Sequence, residues 1–144
     1  MVAQLVFGSV VVGLTIVLHV VFIVAAYTAL RAYGRRRPVA GGPLKWTTLL
    51  VLTTLWLMAS HSVAVWIWSA LYFAVGAFET FEPALYFALV SFTTLGFGDV
   101  VLDERWRLLS GMTAASGLLL FGFSTAFLFE VLARLLSDRT RDND

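Results

Sequence analysis

SFTTLGFGDV, Ser91–Val100, lies between two long apolar runs, and its reading decides the fold. Two threonines, two glycines flanking a phenylalanine, and an aspartate follow one another without a break. Glycine accepts backbone conformations that other residues resist, so Gly96 and Gly98 point to a chain whose carbonyls must face an unusual direction. What such a segment can do depends on whether it lies in water or in lipid.

Composition decides for lipid. Of 144 residues, 60% are hydrophobic and only 13% charged, with a mean hydropathy of +0.88, far from the balance of a soluble domain. There is no cysteine, so disulfides and thiolate metal sites are excluded. The net charge of +1 is uninformative, but the placement of charge is not.

Three apolar segments, roughly Val2–Leu30, Trp46–Gly76 and Leu108–Leu136, each exceed the roughly 20 residues that cross a hydrocarbon core. The excess is expected to be absorbed by tilt or by extension beyond the lipid. The first segment carries no charge before its apolar run, unlike a cleaved signal, so a retained span is expected. A fourth apolar piece, Ala84–Phe92, is too short to cross. Such a piece and an irregular loop are tolerated only when buried in protein or lining a water-filled path.

Arg31, Arg35, Arg36, Arg37 and Lys45 fill the first connection with no acidic residue, which places it in the cytoplasm and the N-terminus outside. The second connection is rich in Glu and Asp, as suits the outer face, and the tail with Arg134, Arg139 and Arg141 returns inside. Trp46, Trp66, Trp68 and Trp106 suit interfacial anchoring, with ordinary helix packing as the alternative. Between the spans, EPALYFALVSF reads as a short helix, with Pro83 at its first position and Glu82 or Thr80 as cap. Its carboxyl end carries partial negative charge and favours a cation. The non-helical TTLGFGD that follows leaves a row of carbonyls able to replace the water shell of a dehydrated ion.

TTLGFGD, Thr93–Asp99, resembles the selectivity signature of the potassium channels, T-x-G-[YF]-G-D, and the order of helix, short helix, loop and helix is similar over Trp46–Leu136. The resemblance implies an all-α membrane protein with three transmembrane helices, a re-entrant pore helix and a filter loop between the second and third, assembled around a central pore. It implies four parts: an extra N-terminal helix (1–33), a basic cytoplasmic linker (34–45), a pore domain (46–136) and a short cytoplasmic tail (137–144). It further implies K+ sites at Thr94, Leu95, Gly96 and Phe97, closed by Gly98. Support at the mouth comes from Thr93, Asp99, Tyr86 and Phe87, with the Phe97 ring braced against Tyr86 or Phe87. Two positions depart from the commonest pattern: Leu95 stands for valine, and Phe97 for tyrosine. One chain carries one copy of the signature, so a homotetramer is implied. A weakly selective or nonselective monovalent cation channel is the alternative.

In the third span, Leu118, Phe121 and Thr125 are candidate cavity residues. Gly117 and Gly122 read either as a gating hinge or as close helix packing. No span carries the repeated arginines of a voltage sensor. His61 is a candidate pH sensor and His19 a weaker one, each with a structural alternative in a bond to a neighbouring Ser, Thr or carbonyl. Glu130 stands four residues before Arg134, the spacing of a mutual surface pair, against an acidic ring at the inner mouth. An enzyme is not expected: no nucleophile has a recognisable base partner, and the histidines lack metal-site spacing. Neither an organic cofactor nor a nucleic-acid partner is expected. The expected location is the plasma membrane, as a multi-pass protein in contact with lipid and permeant potassium.

Overall fold

The computed structural model describes residues 2–36 and 43–141. The middle of the basic linker and the last three residues of the tail therefore lie outside the described residues. Four helices follow in order: α1 (Val2–Arg36), α2 (Pro43–Ala74), α3 (Phe81–Phe92) and α4 (Arg107–Arg141). No strand occurs among the described residues. Helices α1, α2 and α4 are long and apolar enough to cross a membrane, and α3 is not. The chain is a multi-pass membrane protein.

Local sequence explains the breaks. Pro43 opens α2, where a missing N–H costs nothing. Gly76, at φ +69°, closes it: Ala77 N–H reaches the Tyr72 carbonyl at 3.0 Å and Gly76 N–H that of Phe73 at 3.1 Å. That pair of bonds satisfies two carbonyls left over at the helix end. Helix α3 begins two residues earlier than expected, at Phe81, so Pro83 is its third residue rather than its first. It remains in the first turn, whose N–H groups need no intrahelical acceptor. Thr80 occupies the cap position with an extended backbone but makes no side-chain cap bond.

Contacts along the helices give their directions. Gln4 meets Leu108, Thr15 meets Ser116 and His19 meets Ser124, so α1 and α4 run parallel. His19 meets Ser60 and Phe22 meets Trp56, so α2 runs against α1. Helix α3 lies between α2 and α4, and the core forms there from Trp68, Tyr72, Phe87, Phe92, Leu109 and Leu120. In lipid, apolar burial does not by itself drive helices together; close fit and interhelical hydrogen bonds do. The small buried residues Ala64, Ala84, Ala88 and Gly117 provide the fit. Trp68 is fully buried in this core and Trp106 nearly so, which favours packing over anchoring, whereas Trp66 is exposed and leans on Phe81.

Candidate functional site

The carboxyl end of α3 sets the geometry of the signature. Leu95 N–H bonds the Val90 carbonyl and Thr94 N–H that of Ser91, both at 3.0 Å, while Thr93 Oγ1 donates to Leu89 O at 2.8 Å. This is the same cap that Gly76 gives α2, but the left-handed position is held by Thr94, at φ +62°. A β-branched residue there is strained, on the order of 1–3 kcal/mol, and such strain gathers at functional sites. Gly96 at φ +55° and Gly98 at φ +79° follow, and Leu95, Phe97 and Asp99 do not share the positive sign. Handedness thus alternates residue by residue from Thr94 to Asp99. In an ordinary strand successive carbonyls face opposite sides. Reversing φ at every second residue turns them toward one side.

Thr94 to Asp99 are all exposed in the single chain, with Leu95 at 59% and Phe97 at 66%. The expected brace of Phe97 on Tyr86 or Phe87 is not present within one chain. Phe87 packs edge-on against Tyr72 at 5.2 Å between ring centroids and also against Phe78. Tyr86 instead donates its hydroxyl to Asp99 Oδ2 at 2.6 Å. That bond, helped by the backbone N–H groups of Asp99 and Val100, holds the Asp99 carboxyl below the usual carboxylate range. The side chain after the second glycine is therefore tied back to α3.

Behind the signature, α4 grips α3 through Gly117. A Cβ at this position would collide with the backbone carbonyl of Phe92. Gly117 is a packing glycine, whereas Gly122 lies exposed, with nothing within 4 Å of where a Cβ would stand. Leu118, Phe121, Gly122 and Thr125 share the exposed surface of α4, and Thr125 Oγ1 bonds the Phe121 carbonyl of the same helix. Tyr72 Oη and Thr113 Oγ1, 2.6 Å apart, add a buried polar link between α2 and α4.

The two histidines belong to one buried node. His19 Nδ1 lies 2.8 Å from Ser60 Oγ and its Nε2 3.2 Å from Ser124 Oγ. His61 Nε2 approaches the same Ser124 oxygen at 3.4 Å, and its Nδ1 is 2.7 Å from Leu57 O. Since a carbonyl only accepts, His61 Nδ1 carries a proton and its Nε2 accepts from Ser124. Ser124 then accepts from His19 Nε2–H, and Ser60 donates to His19 Nδ1. Ser124 thus joins the two imidazoles, and the Leu120 carbonyl also lies within reach of His61. The His61 ring stacks on Phe121 at 4.5 Å, and Phe121 meets Phe92 at 5.7 Å, so the node sits directly behind the end of α3. In sequence the histidines stand apart, and Ser60 and Ser124 carry no mark of a site. One signal does exist: the four-residue spacing of Thr15 and His19 puts both on one face of an uncharged run.

Glu130 pairs with Arg134 at 2.5 Å, as their spacing suggested, and the Arg134 guanidinium lies 5.5 Å over the Tyr27 ring. Among the described residues no group of three or more His, Cys, Asp or Glu side chains could hold a metal. What the arrangement offers an ion is backbone oxygen. No curated protein and no solved structure matches the chain. The family model described as an ion channel matches residues 46–134, more than half of the chain, from the start of α2 through the signature to the last turns of α4. With three apolar helices long enough to span and an exposed loop of alternating handedness between two of them, the chain belongs to the ion channel family.

Proposed function

We propose that the protein is a potassium-selective channel in which four chains bring their Thr94–Gly98 segments together around one axis. The observation that carries this reading is the alternation of positive φ at Thr94, Gly96 and Gly98, which suits carbonyls stacked along a single line. Oxygens of Thr94, Leu95, Gly96 and Phe97, with the Thr94 hydroxyl, replace the hydration shell of K+. Helix α3 enters from the outer face and turns back at Phe92, with its negative end toward the ion. Exposure of Leu95 and Phe97 in the single chain supports assembly, since each ring or branched side chain then packs on a neighbouring chain. Leu118, Phe121 and Thr125 line the cavity beneath. The basic connection lies in the cytoplasm and the N-terminus outside, in the plasma membrane.

The test is the reversal potential of the reconstituted protein under opposed potassium and sodium gradients, beside Gly96→Ala and Phe97→Tyr. Potassium preference in the wild type, loss of current in Gly96→Ala and retained selectivity in Phe97→Tyr are expected. Equal permeability of the two ions assigns a nonselective cation channel instead. Normal selective current through Gly96→Ala refutes the filter assignment.

A further inference from the structure

A groove of about 880 Å³ runs between α1 and α2 at the end of the bundle that carries the basic connection. It exists because α1 presents Ala25, Ala26 and Ala29 to α2, where larger side chains would close the gap. At its far end Trp56 lines it, held in place by a ring contact with Phe22 at 4.8 Å and by a bond from Trp56 Nε1 to the Phe22 carbonyl at 2.9 Å. The polar atoms along its wall face inward to backbone: Thr48 Oγ1 bonds Leu44 O, and Thr53 Oγ1 bonds Leu49 O. The wall is therefore apolar throughout its length. Its open end is not, for Lys45 lines it with the ammonium 5.5 Å from the Tyr33 ring centroid. Across Leu30, Tyr33 and Leu49 it adjoins a second cleft that exposes Arg31.

We propose that this groove holds one acyl tail of an anionic phospholipid from the adjacent leaflet, with its phosphate between Lys45 and Arg31. Length fits: Ala25 to Tyr33 rises about 12 Å along the helix, against roughly 15 Å for one half of a hydrocarbon core. Polarity fits as well, because the tail points to the apolar end at Trp56 and the headgroup to the cationic mouth. Charge selects lipid over a second copy of the chain. Residues 31–45 carry five basic side chains and no acidic one, and Glu130 in the adjoining cleft is paired with Arg134, so a copy arriving by the same end meets net like charge, while an anionic headgroup meets its complement. The groove lies away from the signature, so the proposal does not rest on ion selectivity.

Native mass spectrometry of the full-length protein, titrated with phosphatidylglycerol and with phosphatidylcholine of identical tails, tests it. A cationic residue near an anionic surface contributes about fivefold in affinity, so the wild type is expected to prefer phosphatidylglycerol by roughly 25-fold. Lys45→Gln should reduce that preference about fivefold, and Lys45→Gln with Arg31→Gln should abolish it. Ala29→Phe, which fills the groove, should lose both lipids. Should Ala29→Phe fail to assemble by gel filtration, phosphatidylglycerol with a diazirine in mid-tail decides on the wild type: photocrosslinks are expected within 25–33 and 44–56. Equal retention of the two lipids, undiminished binding by a folded Ala29→Phe, or crosslinks confined to other segments overturns the proposal. So does a disulfide between chains formed in membranes by Ala29→Cys, which places a second copy in the groove.

Discussion

Alanine at Gly117 tests how α4 holds the end of α3. A Cβ there would lie 2.9 Å from the Phe92 carbonyl carbon and 3.3 Å from its Cα, and nearer still to the oxygen. The obstacle is backbone in the last turn of α3, which cannot swing aside as the tip of a side chain can. Relief requires the helices to part by on the order of an ångström, and close-packed interiors transmit such strain rather than absorb it. Overpacking of this kind typically costs about 1–3 kcal/mol per site. In the proposed assembly of four chains the penalty recurs in each, for roughly 4–12 kcal/mol in all. Because Thr93 and Thr94 follow Phe92 directly, the displacement passes into the signature. Gly122→Ala is the control: nothing lies within 4 Å of its Cβ, and alanine is favoured over glycine in a helix by up to about 1 kcal/mol. The assays are thermal dissociation of the detergent-solubilised assembly and K+ flux from liposomes. Gly117→Ala should lower both, and Gly122→Ala should hold or raise the first. Wild-type behaviour of Gly117→Ala in both assays refutes the account of α4 gripping α3 through its backbone.

Thr94→Gly should remove a left-handed strain of about 1–3 kcal/mol per chain and raise thermal stability while loosening ion discrimination; a variant that melts below the wild type contradicts the strain. Tyr86→Phe removes the donor that holds the Asp99 carboxyl low. A carboxylate with a depressed pKa contributes its stabilisation above its ordinary value and loses it as pH falls through the folded value. Conductance of the wild type should therefore stay flat through about pH 4, near the ordinary aspartate value, and that of Tyr86→Phe should begin to fall at higher pH. Coincident pH curves for the two proteins count against the bond. Ser124→Ala strips two imidazole nitrogens of their shared partner and should cost roughly 1–3 kcal/mol per chain, read as a lower dissociation temperature; an unchanged temperature removes the node from the account of stability. His61→Gln keeps polarity but cannot titrate, so any dependence of opening on pH that arises at His61 should vanish, and an unaltered profile makes His61 structural.

The long helices were legible because length and hydropathy alone define a span, and the short one because the apolar run Ala84–Phe92 is too short to cross. Gly96 and Gly98 announced left-handed backbone by being glycine. Thr94 could not, since nothing in a threonine foretells φ +62°; the helix cap that imposes it depends on where α3 stops. Phe97 pointed to a brace against the α3 aromatics; in the single chain Tyr86 turns to Asp99 and Phe87 to Tyr72, and the Phe97 ring is left exposed. Gly117 and Gly122 look alike in sequence. They separate only when α4 is laid against Phe92. The histidine node was hidden for a similar reason, because Ser60 and Ser124 are commonplace until three helices bring them to His19 and His61.

The parallel contact of α1 with α4 has a consequence for biogenesis. Gln4, Thr15 and His19 find their α4 partners 104, 101 and 105 residues further along the chain. At a synthesis rate of roughly 5–20 residues per second, α1 waits about 5–20 s before α4 has been made. During that interval Thr15 can turn to the Val12 carbonyl of its own helix, as it also does in the finished protein, and Ser60 reaches His19 once α2 is in place. Gln4 must wait for the backbone N–H of Leu108, at the start of the last helix. Helix α1 is thus made well before the helix that completes its polar contacts, and its packing is finished only once α4 lies beside it.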